Sequence, residues 1–89
     1  MAEAGFEGQV VLVTGASRGL GAHLVQHFRA RGAWVAACAR SLEAREHAGG
    51  WDAPVDVTDE AQLVAWIRGV RERKGQIDVL VNNAGAARM

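Results

Sequence analysis

Short apolar runs alternate along this chain with longer amphipathic stretches. The first run is Val10-Val11-Leu12-Val13; like most of the others it is continuous rather than alternating, as expected for parallel strands covered on both faces. The pattern predicts strands over 9–13, 34–38, 53–56 and 79–82. Between the first two, Leu20, Leu24 and Phe28 recur every fourth residue with Val25 beside them. That is the period of a helix over 19–31, and Gly32 stands where a C′ glycine would end it. Leu63, Val64, Ile67 and Val70 form a second stripe, on a helix over 59–74 with Thr58 as the expected N-cap and Gly75 as the stop. The remaining connection is weaker: Ser41 can cap a short helix over 42–47 before Gly49-Gly50 breaks it. Strand and helix repeated, and ending on a strand, predict an α/β domain with a doubly wound parallel sheet and right-handed crossovers. The expected strand order is 3-2-1-4.

The turn between the first strand and the first helix reads Thr14-Gly15-Ala16-Ser17-Arg18-Gly19-Leu20-Gly21. A strand that opens through glycines into a helix N-terminus makes an anion site, because free backbone N–H groups and the helix dipole converge there. Gly15 permits the tight turn, Gly19 removes a Cβ where a pyrophosphate must approach, and Gly21 lets the helix pack closely on the sheet. Thr14 and Ser17 offer hydroxyls and Arg18 a cation. The plainer alternative is an ordinary tight turn with helix-capping residues.

A second motif, Asn82-Asn83-Ala84-Gly85, closes the last apolar run, Val79-Leu80-Val81. Together the two motifs resemble the short-chain dehydrogenase/reductase family, over residues 8–89 of this chain and roughly the first third of that family's domain. The resemblance implies a Rossmann-like fold, truncated here after the fourth strand, and a nicotinamide dinucleotide as cofactor. It makes residues 1–89 a partial dinucleotide-binding domain, with 1–7 as an N-terminal tail. The candidate cofactor-binding residues of the glycine turn are Thr14, Gly15, Ser17, Arg18, Gly19, Leu20 and Gly21. In the second motif they are Asn83, Ala84 and Gly85: Asn83 to fix neighbouring backbone and contact the adenosine side, Ala84 and Gly85 to keep bulk away from the cofactor.

Selectivity for NAD in such folds usually rests on an acidic residue about 20 positions beyond the glycine turn. Here the second strand ends Cys38-Ala39-Arg40, so the acidic position holds Ala39 and a guanidinium follows. Arginine can grip a 2′-phosphate through charge-assisted bonds, and Arg18 is placed to help. NADP is therefore the expected cofactor in preference to NAD, with a solvated Arg40 ahead of Ser41 as the alternative. Asp56 and Val57 end the third strand; the resemblance gives the carboxylate to the adenine amino group and the following N–H to the ring. Alternatively, Asp56 only starts the turn into the next helix.

Composition removes other classes of function. Ten basic and ten acidic side chains balance, which leaves no electrostatic case for nucleic acid or an anionic membrane. No apolar run approaches a membrane span, and the first residues do not resemble a signal peptide. Cys38 is the only cysteine, consistent with a cytoplasmic location. His23 and His27 stand four apart, but Leu24 occupies the place where a zincin motif needs glutamate, so no metal site is expected.

The resemblance implies hydride transfer between nicotinamide and a carbonyl or alcohol, with a tyrosine as general acid/base and a lysine four residues later. Those residues, with a serine and an asparagine, lie beyond the Asn-Asn-Ala-Gly motif in similar proteins. This chain contains no tyrosine, its one lysine is Lys74, and Ser17 and Ser41 cannot supply the proton donor. No catalytic residue is therefore expected within it. Three readings stay open: the cofactor-binding portion of an oxidoreductase, a non-catalytic NADP-binding regulatory module, and a structural partner that completes its sheet with another chain. The uncharged fourth strand, with an unpaired edge, is expected to favour self-association.

Overall fold

The computed structural model of the protein describes residues 5–84. Its elements are β1 (Val10–Thr14), α1 (Gly19–Ala30), β2 (Trp34–Ala39), β3 (Arg45–His47), β4 (Gly50–Pro54), α2 (Glu60–Lys74) and β5 (Val79–Val81). The strands form one sheet in the order β3-β4-β2-β1-β5, parallel except for the β3–β4 pair. The four strands read from the apolar runs are β1, β2, β4 and β5, and their order is the expected one. β3 is an additional edge strand.

The continuous apolar character of β1 follows from burial on both faces. Val10 and Leu12 pack with Ala36, Cys38 and Ala53 beneath Trp66 and Val70 of α2. Val11 and Val13 pack with Val35 and Ala37 beneath Val25 of α1. Phe6 seals the lower edge of the α1 layer: its N–H donates to the Arg31 carbonyl at 3.1 Å, and its ring meets Phe28 edge-on at 4.9 Å.

Residues 42–47 are not helical. Arg45, Glu46 and His47 pair antiparallel with Asp52, Trp51 and Gly50, around a turn at Ala48-Gly49. Helix propensity there is overridden by side chains distant in sequence, which fix the hairpin. Arg73 of α2 donates from Nε and Nη2 to the two oxygens of Glu46, at 3.1 and 3.0 Å, while its guanidinium lies 3.7 Å above the Trp51 ring. That hydrogen-bonded contact holds the Glu46 carboxyl below its usual range. Arg29 of α1 reaches across to the Gly49 and Val35 carbonyls and to Asp52 Oδ1, at 3.0–3.1 Å.

β4 both begins and ends earlier than the expected 53–56, so Asp56 and Val57 do not end the strand but lie in the turn that leads from it to α2. Gly50, which reads as a helix breaker, is its first residue, and a Cβ there would fall 1.8 Å from the Val35 carbonyl oxygen. The close parallel pairing with β2 needs a glycine at that point. The N-cap of α2 is Asp59, not the expected Thr58. Asp59 Oδ1 accepts from the Gln62 N–H at 3.2 Å, an Asp-x-x-Gln arrangement akin to the capping box. Gly75 ends α2 as expected, left-handed at φ 76°. Leu20 departs from its helical stripe and is 62% exposed, because Gly21 and Val25 take the sheet-facing positions of α1.

Candidate functional site

The glycine turn and the Asn82–Ala84 segment leave the carboxyl ends of neighbouring strands, β1 and β5, and interlock. Thr14, 3% exposed, donates its hydroxyl to Asn82 Oδ1 at 3.0 Å and accepts the Ala84 N–H at 2.9 Å. Asn83 Nδ2 donates to the Gly15 carbonyl at 3.1 Å. Two motifs 68 residues apart thus form one structure. The glycines are what allow it. A Cβ on Gly15, whose φ is 62°, would sit 2.9 Å from the Ala84 nitrogen. One on Gly21 would lie 2.0 Å from the Gly15 carbonyl oxygen and 2.9 Å from Asn83 Nδ2.

Gly19 differs from both: its φ is 61° and a Cβ there would meet nothing within 4 Å. It faces open space at the start of α1. That helix has no side-chain cap, since Arg18 at the N-cap makes no capping hydrogen bond, and no acidic residue lies in its first turn. α2, by contrast, is capped by Asp59 and has Glu60 in its first turn. The free N–H groups and positive dipole end of α1 therefore remain available to an anion.

Beside this turn lies a cleft of about 570 Å³. Its lining includes Gly15, Ser17 and Arg18 of the turn, with Asn83 and Ala84. Ala39, Arg40 and Ser41 at the end of β2 and the segment Val55–Thr58 that follows β4 complete it. The sequence-derived candidates Gly15, Ser17, Arg18, Arg40, Asp56, Val57, Asn83 and Ala84 all meet here. Thr14 and Gly21 are buried behind the lining, and Gly19 and Leu20 are exposed outside it. Gly85 lies outside the described residues. Cys38, on β2 below the cleft, is sealed by burial that pushes its thiol up to about 12, while its carbonyl accepts the Ala16 N–H at 3.1 Å.

Asp56 shares the cleft with Arg40. Its Oδ1 accepts from the Thr58 hydroxyl at 2.6 Å and from the Thr58 N–H at 2.9 Å. Those two bonds, the hydroxyl's first, and the nearby Arg40 cation hold the Asp56 carboxyl below the usual carboxylate range. Two contacts here were not expected, those of Thr58 and Gln62 with Asp56. Thr58 fixes Asp56 rather than capping a helix. Gln62 accepts the Asp56 N–H on Oε1 at 2.9 Å and donates from Nε2 to Asp59 Oδ2 at 3.1 Å. The Asp59–Gln62 spacing is a cap signature and was available as a signal; the reach back to Asp56 was not.

His47 meets Asp52, its Nε2 being 3.6 Å from Oδ2, across the β3–β4 hairpin. Among the described residues no group of three or more metal-ligating side chains gathers, and no helix is long and apolar enough to cross a membrane.

Comparison with known proteins agrees with this fold. A family model described as short chain dehydrogenase matches residues 9–89. The 3-oxoacyl-(acyl-carrier-protein) reductase FabG of Salmonella typhimurium is 39% identical over 89 residues, covering 93% of this chain and 36% of its own length. L-fucose dehydrogenase of Mus musculus is 42% identical over 86 residues, covering 90% and 31%. Among solved structures, a short-chain dehydrogenase/reductase from Serratia marcescens superposes with a TM-score of 0.77 at 37% identity, over 86% of this chain and 35% of that one. A 3-ketoacyl-(acyl-carrier-protein) reductase from Brucella melitensis, complexed with NADH, gives a TM-score of 0.75 at 26% identity, over 83% and 33%. The chain thus spans about a third of the length of the relatives it matches.

Proposed function

The chain belongs to the short-chain dehydrogenase family, whose members are oxidoreductases, and from that premise we propose that it binds NADP(H) as the cofactor-holding portion of such an enzyme. The observation that carries this reading is the uncapped N-terminus of α1 beside the bare Cα of Gly19 and the cleft. A pyrophosphate seated there would accept the free N–H groups of the first turn, at a point where any side chain would crowd it. The bound dinucleotide would supply the hydride exchanged with a carbonyl or alcohol.

The chain's own residues hold and orient that cofactor. Thr14 and Asn83 keep the glycine turn and the Asn82–Ala84 segment in register, so the floor of the cleft is formed before anything binds. Asp56 and the Val57 N–H receive the adenine. Arg18 and Arg40 flank the position where a 2′-phosphate would lie, and Ala39 presents no carboxylate to repel it. Preference for NADPH over NADH rests on that set. Titration of each cofactor by intrinsic tryptophan fluorescence tests it: NADPH should bind more tightly, and Arg40→Ala should cost about 1–3 kcal/mol of NADPH binding alone. Equal affinities, or an NADPH preference untouched by Arg40→Ala, would overturn the assignment.

With no tyrosine to serve as proton donor, residues 1–89 by themselves should oxidise no NADPH with aldehydes or ketones. A cytoplasmic setting fits the single, buried cysteine. Self-association through β5 is part of the same reading. Among the described residues β5 pairs only with β1, and Leu80 at its centre is 56% exposed. The opposite edge, Arg45-Glu46-His47, carries the charges that discourage strand pairing, whereas Val79-Leu80-Val81 carries none. Light scattering should show dimers or larger species, which Leu80→Lys disperses; a monodisperse monomer would refute this.

A further inference from the structure

Residues 56–62 form a closed hydrogen-bonded network on the adenine side of the cleft. Asp56 Oδ1 takes both donors of Thr58, at 2.6 and 2.9 Å, and the Asp56 carbonyl takes the Asp59 N–H at 2.9 Å. These bonds fold the segment into a tight turn, but they leave the Asp56 N–H, on the strand side, to be satisfied from elsewhere. Gln62 supplies that partner. Its Oε1 accepts the Asp56 N–H at 2.9 Å, and its amide is held in turn by Asp59 Oδ2, 3.1 Å from Nε2. The same Gln62 offers its own backbone N–H to Asp59 Oδ1 at 3.2 Å. One residue in the first turn of α2 therefore ties the helix start to the backbone of the residue that lines the cleft.

We propose that Gln62 is a positioning residue for the adenine subsite: it touches no cofactor but fixes the Asp56–Val57 backbone at the height the ring requires. This rests on the dinucleotide reading above and names a further determinant of the same site. The chemistry requires an acceptor on a side chain long enough to reach back from helix position N3, itself restrained by a second bond. Glutamine satisfies both, since one amide oxygen accepts while its nitrogen donates. Alanine would leave the Asp56 N–H without that partner, yet it is the best helix former, so α2 should not suffer from the change in propensity. Glutamate keeps the acceptor but loses the donor to Asp59 Oδ2 and sets a second carboxylate against it, a loss that asparagine at 59 would repair by supplying the donor itself.

The test is an amide-resolved NMR titration of the whole chain with two probes, adenosine and inorganic pyrophosphate. Adenosine is uncharged, so a glutamate at 62 does not repel it. In the wild type, adenosine should shift the Asp56, Val57 and Thr58 amides, and pyrophosphate those of the glycine turn. Gln62→Ala should weaken adenosine binding about tenfold, the equivalent of one lost hydrogen bond, and change pyrophosphate binding less than twofold. The double change Asp59→Asn with Gln62→Glu, which moves the amide donor to residue 59 and keeps the acceptor at 62, should recover most of the adenosine affinity, whereas Gln62→Glu alone should not; a merely structural role for Gln62 would not produce that pattern. Unchanged adenosine binding in Gln62→Ala, or equal weakening toward both probes, would overturn the assignment and leave the dinucleotide reading standing. A wild-type chain that takes up neither probe would overturn both.

Discussion

Gly21→Ala separates local propensity from tertiary packing, because the two predict opposite signs. Gly21 lies in the first turn of α1, where replacing glycine by alanine is worth up to about 1 kcal/mol in favour of the helix. The added Cβ, however, would stand 2.0 Å from the Gly15 carbonyl oxygen, 2.8 Å from its carbon and 2.9 Å from Asn83 Nδ2. Real Cβ atoms essentially never approach other atoms within 3.0 Å, so the Gly15 carbonyl must retreat by about 1 Å. It is backbone, not the free end of a side chain, and it is the acceptor for Asn83. Overpacking of this kind costs about 1–3 kcal/mol, and loss of the Asn83 bond adds about 1 kcal/mol. Set against the gain in propensity, the net effect is a loss of about 2 kcal/mol. With a urea slope of about 1 kcal/mol/M for so small a domain, the unfolding midpoint should fall by about 2 M. Gly69→Ala is the control: its Cβ meets the rim of the Trp51 ring at 2.6 Å and the Arg73 guanidinium at 3.1 Å, side-chain ends that can move. Its loss should be smaller. Equilibrium urea unfolding followed by far-UV circular dichroism measures both. A Gly21→Ala chain as stable as the wild type would refute the interlock of the two motifs.

Three other outcomes follow from the same geometry. Thr14→Val keeps the shape of the side chain but leaves the Ala84 N–H and Asn82 Oδ1 without their shared hydroxyl, so stability should fall by about 2 kcal/mol, while Thr14→Ser should stay near wild type by the same urea assay. Cys38 should resist alkylation by iodoacetamide at pH 8 until the chain is unfolded, because burial holds the thiol protonated; rapid labelling of the native protein would contradict that burial. Asp56 has its folded value lowered by Thr58 and Arg40, so its contribution to stability should be complete above about pH 4 and fade as pH falls through that lower value. Urea midpoints of the wild type and Asp56→Asn should therefore converge on acidification, and a gap that widens there would show the sign to be wrong.

The sequence by itself determined the four-strand core. Burial on both faces demands an unbroken apolar run such as Val10–Val13, which is buried throughout, and Val79–Val81 repeats the pattern although Leu80 stays exposed at the sheet edge; the order around β1 followed from the right-handed crossovers of a doubly wound sheet. It also determined the candidate residues, since glycine at 15, 19 and 21 and the absence of a carboxylate at 39 are chemical facts independent of packing. Tertiary structure decided what depends on atoms far apart in the chain. Within residues 42–47, Arg45–His47 became a strand because the free edge of β4 and the Arg73 fork on Glu46 outweigh the preference for helix. Gly50 entered β4 because the Val35 carbonyl leaves no room for a side chain. Thr14 turned from a ligand hydroxyl into the bond between two motifs, and Gln62, legible in the sequence only as the partner of an Asp59 cap, became the support beneath Asp56. Local pattern fixes which residues must be buried or left bare. Where a hydroxyl or an amide finds its partner is set only when the sheet brings the strand ends side by side.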